Sequence, residues 1–217
     1  SGGWSRRGTR RGRVNLGMPP EFAYNVGLPL LKRFYAKHPK VVFRTTIGLA
    51  QTMMDQILEG KIDFAFVDEY NIDPRIRAER VFNETLELCA SPKLAGKRSR
   101  HQQDYYESLP YVGYFPDEPF LLRWFRHHLP GKKMNLQVRG YFSDCQGVGR
   151  MILEGVGAGV LPGYHAAGLI RQGYKLHRFR GKKQPLINEI SLAFLPDRSH
   201  SLEAVTAMQY LRENLKQ

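Results

Sequence analysis

Of the side chains able to do chemistry in this 217-residue chain, two cysteines and seven histidines come first. Cys145 opens an expected helix, a position that lowers a thiol pKa and raises its reactivity. His165 is the histidine that would partner it in a nucleophilic dyad, but no third residue stands out to orient such a pair. Cys89 lies far away in an apolar run and reads as a small core residue. The two cysteines give neither a disulfide framework nor the close spacing of a metal site. His127 and His128 stand among arginines and lysines, which makes a poor metal site and a reasonable solvated face. Gly155, Gly157 and Gly159 follow a helical pattern instead of a strand, so they do not fit dinucleotide binding. Gly-x-Ser-x-Gly, His-Glu-x-x-His and Ser-x-x-Lys are all absent. The expectation is a protein that is not an enzyme and that uses no cofactor and no metal.

Those residues sit in a chain long enough for one large domain or two small lobes. Its 42% hydrophobic and 24% charged content is that of an ordinary globular protein, so neither a disordered nor a membrane class is implied. No apolar run approaches the roughly 18 residues of a membrane span. The start is arginine-rich and carries no apolar leader. With the cysteine usage, this makes a cytoplasmic location the expectation. The opening Ser-Gly-Gly reads as a scar or a cut from something longer. The net charge of +13 has two sources. Arg6, Arg7, Arg10, Arg11 and Arg13 form a tail without acids, and the remainder is spread over 93–100, 123–133 and 171–183. Such clusters attract polyanions non-specifically or simply solvate a face. No groove-reading DNA module is recognisable.

The elements that must position the chemistry follow from periodicity. Residues 14–18 alternate like a strand and end at Pro19-Pro20. A helix is expected from 21 to 38, with Phe22, Val26, Leu30, Leu31 and Phe34 as its apolar stripe. Pro29 inside it predicts a kink or restart near Gly27. Strands follow at 41–47 and 62–67, separated by a helix over 50–59 that Gly60 caps. Strand–helix–strand–helix–strand is the pattern of a parallel sheet with crossover helices. Two more strands are read at 76–82 and 84–90, then a polar crossing at 91–103. A second series places strands at 111–114, 135–141, 160–161 and 176–179, and helices at 119–128, 145–154 and 164–172. The loop 181–188, a strand at 190–195 and a helix with Leu202, Val205, Met208 and Leu211 inward complete the chain. In the segment 151–162, apolar residues at helical spacing run into glycines that release the helix and let backbone pass close to backbone.

That segment, Met151-Ile-Leu-Glu-Gly-Val-Gly-Ala-Gly-Val-Leu-Pro162, resembles a stretch late in the effector-binding domain of LysR-type transcriptional regulators. Gly12-Arg-Val-Asn-Leu-Gly17 is similar to that family's opening strand. Leu28-Pro-Leu-Leu-Lys-Arg-Phe-Tyr-Ala-Lys-His-Pro39 resembles its "Leu-Pro-x-Leu-x-x-Phe…His-Pro" helix. Leu58-Glu-Gly-Lys-Ile-Asp-Phe-Ala65 and Gly173-Tyr-Lys-Leu176 resemble two further landmarks, in order. The resemblance spans about residues 12–215. It implies an α/β fold, periplasmic-binding-protein-like, with two lobes, each a mixed, mostly parallel sheet flanked by helices. The lobes would be 13–90 plus 189–217 and 91–188, after a basic tail at 1–12, with a small-molecule effector gripped in the groove they share. It further implies a homodimer or homotetramer pairing through helices 50–59 and 119–128, DNA contact only through an N-terminal winged helix-turn-helix absent from these residues, and no membrane partner. Some relatives sense peroxide, but through closely spaced cysteines unlike Cys89 and Cys145. A solute-binding protein of a transport system shares the fold and is the alternative.

In a doubly wound sheet, ligands sit outside the C-terminal ends of strands, near helix N-termini. That rule, and the resemblance, select Met18, Pro19, Pro20 and Glu21 after the first strand, Gly48, Leu49, Gln51 and Thr52 after the second, and Asp68, with Glu69 beside it, after the third. In the second series they select Phe115, Asp117 and its neighbour Glu118, then Ser143, Asp144 and Cys145. Thr52, Ser143 and Asp144 are equally good helix caps. Glu21, Asp68, Asp117 and Asp144 are acidic where the family often carries Ser or Thr. Either the effector carries an amine, or some of these acids point away.

Overall fold

The computed structural model describes residues 12–68, 71–97, 101–117, 119–181 and 183–215. Arg6, Arg7, Arg10 and Arg11 of the tail, Glu69, residues 98–100 and Glu118 lie outside them. The chain forms two compact units: the described residues up to Asn83 with those from Glu189 onward, and Glu84–Asn188.

In the first unit, β1 (Arg13–Met18) pairs in parallel with β2 (Val42–Ile47) and with β3 (Phe64–Val67). These are the parallel pairs that the alternation of strand and helix predicts. β1 sends Val14, Leu16 and Met18 into one core layer and Asn15 and Gly17 to the opposite face. The first layer is closed by α1 (Pro20–Phe22), a π-helical stretch Ala23–Gly27, α2 (Leu28–Lys37) and α9 (Leu202–Asn214). The opposite layer is closed by α3 (Ala50–Leu58), whose Met53, Met54 and Ile57 are buried. Burying each such side chain contributes roughly 1.5–3 kcal/mol.

The disturbance expected from Pro29 takes the form of that π-helical stretch. Proline has no N–H to return to Asn25, so an unbroken α-helix would leave a carbonyl unpaired. The wider turn closes instead with the Leu28 N–H donating to the Ala23 carbonyl. Gly27 leaves the space that the Met18 side chain occupies.

Two strands run from one unit into the other. β4 is one strand, Arg77–Ala90, where sequence reading expects two separated at Asn83. Asn83 is solvent-exposed and its backbone stays extended, so a residue that favours turns makes none here. The division between units falls within β4, after Asn83, and not at the residue 90/91 boundary expected from sequence. β9 (Leu186–Phe194) begins earlier than the expected residue 190 and pairs antiparallel with β3, Phe64 opposite Phe194.

In the second unit, β4 pairs antiparallel with β7 (Gly159–Pro162), and its end pairs with β8 (His177–Arg178). β5 (Pro110–Gly113) and β6 (Gln137–Tyr141) form a parallel pair, and Tyr111 also bridges to Ala158. Helices α6 (Pro119–His128), α7 (Cys145–Leu153) and α8 (Gly163–Arg171) flank them. The polar crossing expected at 91–103 contains α4 (Pro92–Ala95) and the start of α5 (Gln102–Ser108), which buries Tyr105 and Tyr106. The last helix is turned from its expected stripe. Leu202 is 77% and Val205 44% exposed, while Ala204, Ala207, Met208, Leu211 and Leu215 face inward.

Candidate functional site

The strand-end residues of the first unit are held by the packing just described. Met18 ends β1 with its side chain fully buried, so it offers only backbone, and its carbonyl accepts from the Gly48 N–H at 3.1 Å. Pro19 adopts the extended conformation ahead of α1, and Pro20 sits at the first helical position, where a missing N–H costs nothing. Glu21 is buried, and Asn25 Nδ2 donates to its backbone carbonyl at 2.8 Å.

Gly48 and Leu49 lead into α3. A Cβ on Gly48 would meet nothing within 4 Å, and Leu49 is 56% exposed. Leu49 is the N-cap of α3 and supplies no side-chain cap. Thr52, a capping type in the sequence, stands one turn inside the helix and does not cap it. Gln51 Nε2 donates to Asp55 Oδ1 at 3.1 Å on the exposed side. The first intrahelical bond here runs from the Met53 N–H to the Leu49 carbonyl, so the N–H groups of Ala50, Gln51 and Thr52 precede the ladder. Such groups, with the helix dipole behind them, favour an oxygen acceptor or an anion. Asp68 is half-buried after β3.

The second unit repeats the arrangement with different chemistry. Phe115 and Asp117 follow β5 and are exposed. After β6, Ser143 and Asp144 are exposed, and Asp144 caps α7 by accepting from the Gly147 N–H at 2.7 Å. Here the helix terminus brings its own carboxylate. Cys145 is half-buried with Sγ 3.4 Å from the Tyr114 hydroxyl, which donates to the Val160 carbonyl at 2.6 Å. Tyr114 was not singled out in the sequence; its signal was an aromatic at the end of a strand, which reads as core. Cys89 is fully buried, and burial pushes its thiol well above the ordinary range.

His128 departs from the solvated face read in the sequence. It shares the inward side of α6 with Leu121, Trp124 and Phe125 and packs on Trp124 at 4.4 Å. Burial lowers its pKa to about 4, and the neighbouring charges of His127 and Lys183 act in the same direction. His127 lies nearer solvent, with Nε2 2.5 Å from the Gln184 carbonyl. Among the described residues no group of three His, Cys, Asp or Glu side chains is placed to hold a metal ion.

A concavity of about 670 Å3 lies in the first unit, lined by Arg13, Asn15, Arg44, Gln56 and Arg198 among others, and includes none of the strand-end residues. Its polar lining residues alternate along β1 (Arg13, Asn15) and β2 (Arg44, Thr46). That period-two polar face is legible in Arg13-Val-Asn15 and Arg44-Thr-Thr46, outside the strand-end positions that the sequence rule selects.

Comparison with known proteins places these observations. Residues 7–216 match the family model described as LysR substrate binding domain. The fold is similar to the effector-binding domain of QuiR in complex with shikimate (TM-score 0.78, 14% identity, covering 94% of this chain and 96% of that one). It is similar to HinK, a LysR family transcriptional regulator from Pseudomonas aeruginosa (TM-score 0.77, 18% identity, 94% and 71%). It is similar also to the CrgA regulatory domain, a LysR-type transcriptional regulator from Neisseria meningitidis (TM-score 0.75, 17% identity, 94% and 98%). At these identities the likeness to solved structures establishes the mixed α/β fold alone.

Proposed function

The chain belongs to the LysR substrate binding domain family, the effector-binding part of LysR-type transcriptional regulators, and on that premise we propose that its strand-end residues, one set in each unit, recognise a small-molecule effector. The observation carrying this reading is the N-terminus of α3, uncapped by any side chain and preceded by an open Gly48. The second set adds carboxylates, Asp117 and Asp144, both exposed. An effector bearing an amine together with an oxygen acceptor answers both. The effector-binding domain of QuiR in complex with shikimate supports small-molecule recognition by this fold.

Effector binding would shift the protein between states only through its differential affinity for them. We propose that a DNA-binding module outside these residues reports that shift, and that the chain self-associates through α3 and α6. The family is a regulatory one and not an enzyme family, so the bound ligand is expected to leave unchanged. No helix among the described residues is long and apolar enough to cross a membrane, and a cytoplasmic location agrees with this reading. Solute binding for transport is not favoured, because the family match and the solved relatives are regulators.

Calorimetric titration with amine-bearing and purely anionic candidates tests the proposal, scored also by thermal stabilisation through linkage. Thr52→Val and Asp144→Asn are each expected to weaken the effector found. Tight binding of a simple dicarboxylate would overturn the amine assignment. Effector binding indifferent to both substitutions would overturn the site.

A further inference from the structure

Three arginines in the first unit have no ion-pair partner among the described residues: Arg13 in β1, Arg44 in β2, and Arg198 in the loop before α9. All line the concavity of about 670 Å3. Lys61 also lines it and is paired with the exposed Glu59 at 2.6 Å. The one carboxylate in the lining, Asp63, accepts from the Asn15 N–H at 2.8 Å. The cavity wall therefore carries a marked excess of positive charge, with three guanidinium groups uncommitted.

Its polar atoms are also incompletely paired. Asn15 Oδ1, Gln56 Oε1 and Arg198 Nη1 are buried and have no hydrogen-bond partner. Buried polar atoms are almost always paired, so each such orphan calls for a missing group. Here three of them belong to residues lining one concavity. The arginine asks for an acceptor, and each amide can answer a hydroxyl.

We propose that this concavity is a ligand site for a small hydroxylated phosphate ester, separate from the strand-end set. A phosphate monoester carries close to two negative charges at neutral pH and three acceptor oxygens, which suits several guanidinium forks better than a monocarboxylate does. Hydroxyls of the ester meet the polar lining beside the phosphate, Asn15 and Gln56 among it. The volume lies in the roughly 300–1,000 Å3 range of small-molecule sites. The location is distinct: Asn15 precedes Pro19 by about 13 Å of extended strand, and Gln56 and Gly60 stand at the other end of α3 from Thr52. The inference does not depend on which effector the strand ends bind.

The test is calorimetry on the 217-residue protein with ribose 5-phosphate, inorganic phosphate and ribose as probes. Ribose 5-phosphate is expected to bind at least about tenfold more tightly than phosphate, and ribose not at all. Arg44→Ala and Arg198→Ala are each expected to weaken it about tenfold or more, while Thr52→Val and Asp144→Asn leave it unchanged. Arg44 is exposed, so its substitution keeps the fold intact even if that of Arg198 does not. No binding up to about 10 mM, equal affinity for phosphate and ester, or affinity untouched by Arg44→Ala overturns the proposal. So does loss of ester binding in Thr52→Val with Arg44→Ala silent, which would assign the ester to the effector set instead.

Discussion

Replacing Gly157 by alanine tests the claim that backbone runs against backbone behind β7. An alanine Cβ would stand 2.7 Å from the Tyr111 carbonyl carbon, 2.9 Å from its Cα and 3.0 Å from the Val112 nitrogen. Carbon atoms in good contact are about 3.5–4.0 Å apart, so the segment must retreat by most of an ångström. The obstacle is strand β5 itself, and no rotamer change relieves it. Two hydrogen bonds cross this gap, Ala158 N–H to the Pro110 carbonyl and Val112 N–H to the Ala158 carbonyl, each 2.8 Å. Weakening both costs up to about 1 kcal/mol apiece, and forced overpacking adds about 1–3 kcal/mol. A loss of roughly 2–4 kcal/mol is expected. Two other glycines calibrate it. Gly131 has φ +76 and open space around it, so alanine there costs only the left-handed backbone, about 1 kcal/mol. Gly48 has neither obstacle nor positive φ, and alanine there is neutral to about 0.5 kcal/mol. Urea unfolding reads the effect in the right place, because Trp124 is buried in the cluster that contains Tyr111 and Ala158. A Trp4→Phe background leaves Trp124 as the only reporter. If Gly157→Ala stays within about 0.5 kcal/mol of the parent, or costs less than Gly131→Ala, the close approach is not what selects glycine.

Three other expectations follow from the packing of His128, Asp144 and the two cysteines. His128 is held neutral with its pKa near 4 against an ordinary 6.5. Its contribution is therefore complete above about pH 6.5 and lost as the pH falls toward 4, where the unfolded chain takes up the proton first. The interval sets a ceiling of about 3 kcal/mol. Solvent screening of the exposed Lys183 charge brings this to about 1–3 kcal/mol, and His128→Gln should flatten the urea midpoint across that pH window. Asp144→Ala should destabilise by about 1 kcal/mol through the lost α7 cap, whereas Asp144→Asn keeps the cap and removes only the charge. Equal unfolding midpoints for the two variants would contradict this. A thiol reagent should modify Cys145 in the native protein and reach fully buried Cys89 only on unfolding. Native labelling of both at similar rates would contradict the burial.

How much of this was legible in the sequence depended on how local the cause was. The π-helical stretch was foreshadowed by one missing N–H at Pro29, and the parallel β1–β2–β3 set by plain alternation of periods. Gly155, with φ +74, ends α7 in a turn whose 155 and 156 N–H groups return to Ile152 and Met151. The α9 stripe held at Met208 and Leu211 and failed at Leu202 and Val205, which looked more apolar than Ala204 and Ala207, yet tertiary packing chose the smaller residues against the sheet. β4 failed for the opposite reason: Asn83 carries a turn preference that neighbouring strands override. Helix α5 was missed because its buried face is two adjacent tyrosines and not a repeating aliphatic stripe.

The candidate residues separate by the same logic. Position after a strand is a backbone property, and sequence periodicity finds it readily. What the side chain then does is decided by its neighbours. Met18 turns into the core and leaves a carbonyl to hold Gly48, while Asp144 spends one carboxylate oxygen on a cap. Leu49, an apolar residue at an N-cap position, looks like a mistake when helices are read one at a time. It leaves the first N–H groups of α3 without the serine or aspartate that ordinarily answers them. Absence of a capping side chain beside an open glycine is a weak signal in a sequence, because any hydrophobic residue produces it. It becomes informative only once β1, β2 and the Met18–Gly48 hydrogen bond fix where that terminus stands. Several other helices also start without a side-chain cap, so it is the place of the α3 terminus beside Gly48, at the end of β2, on which the proposed effector contact rests.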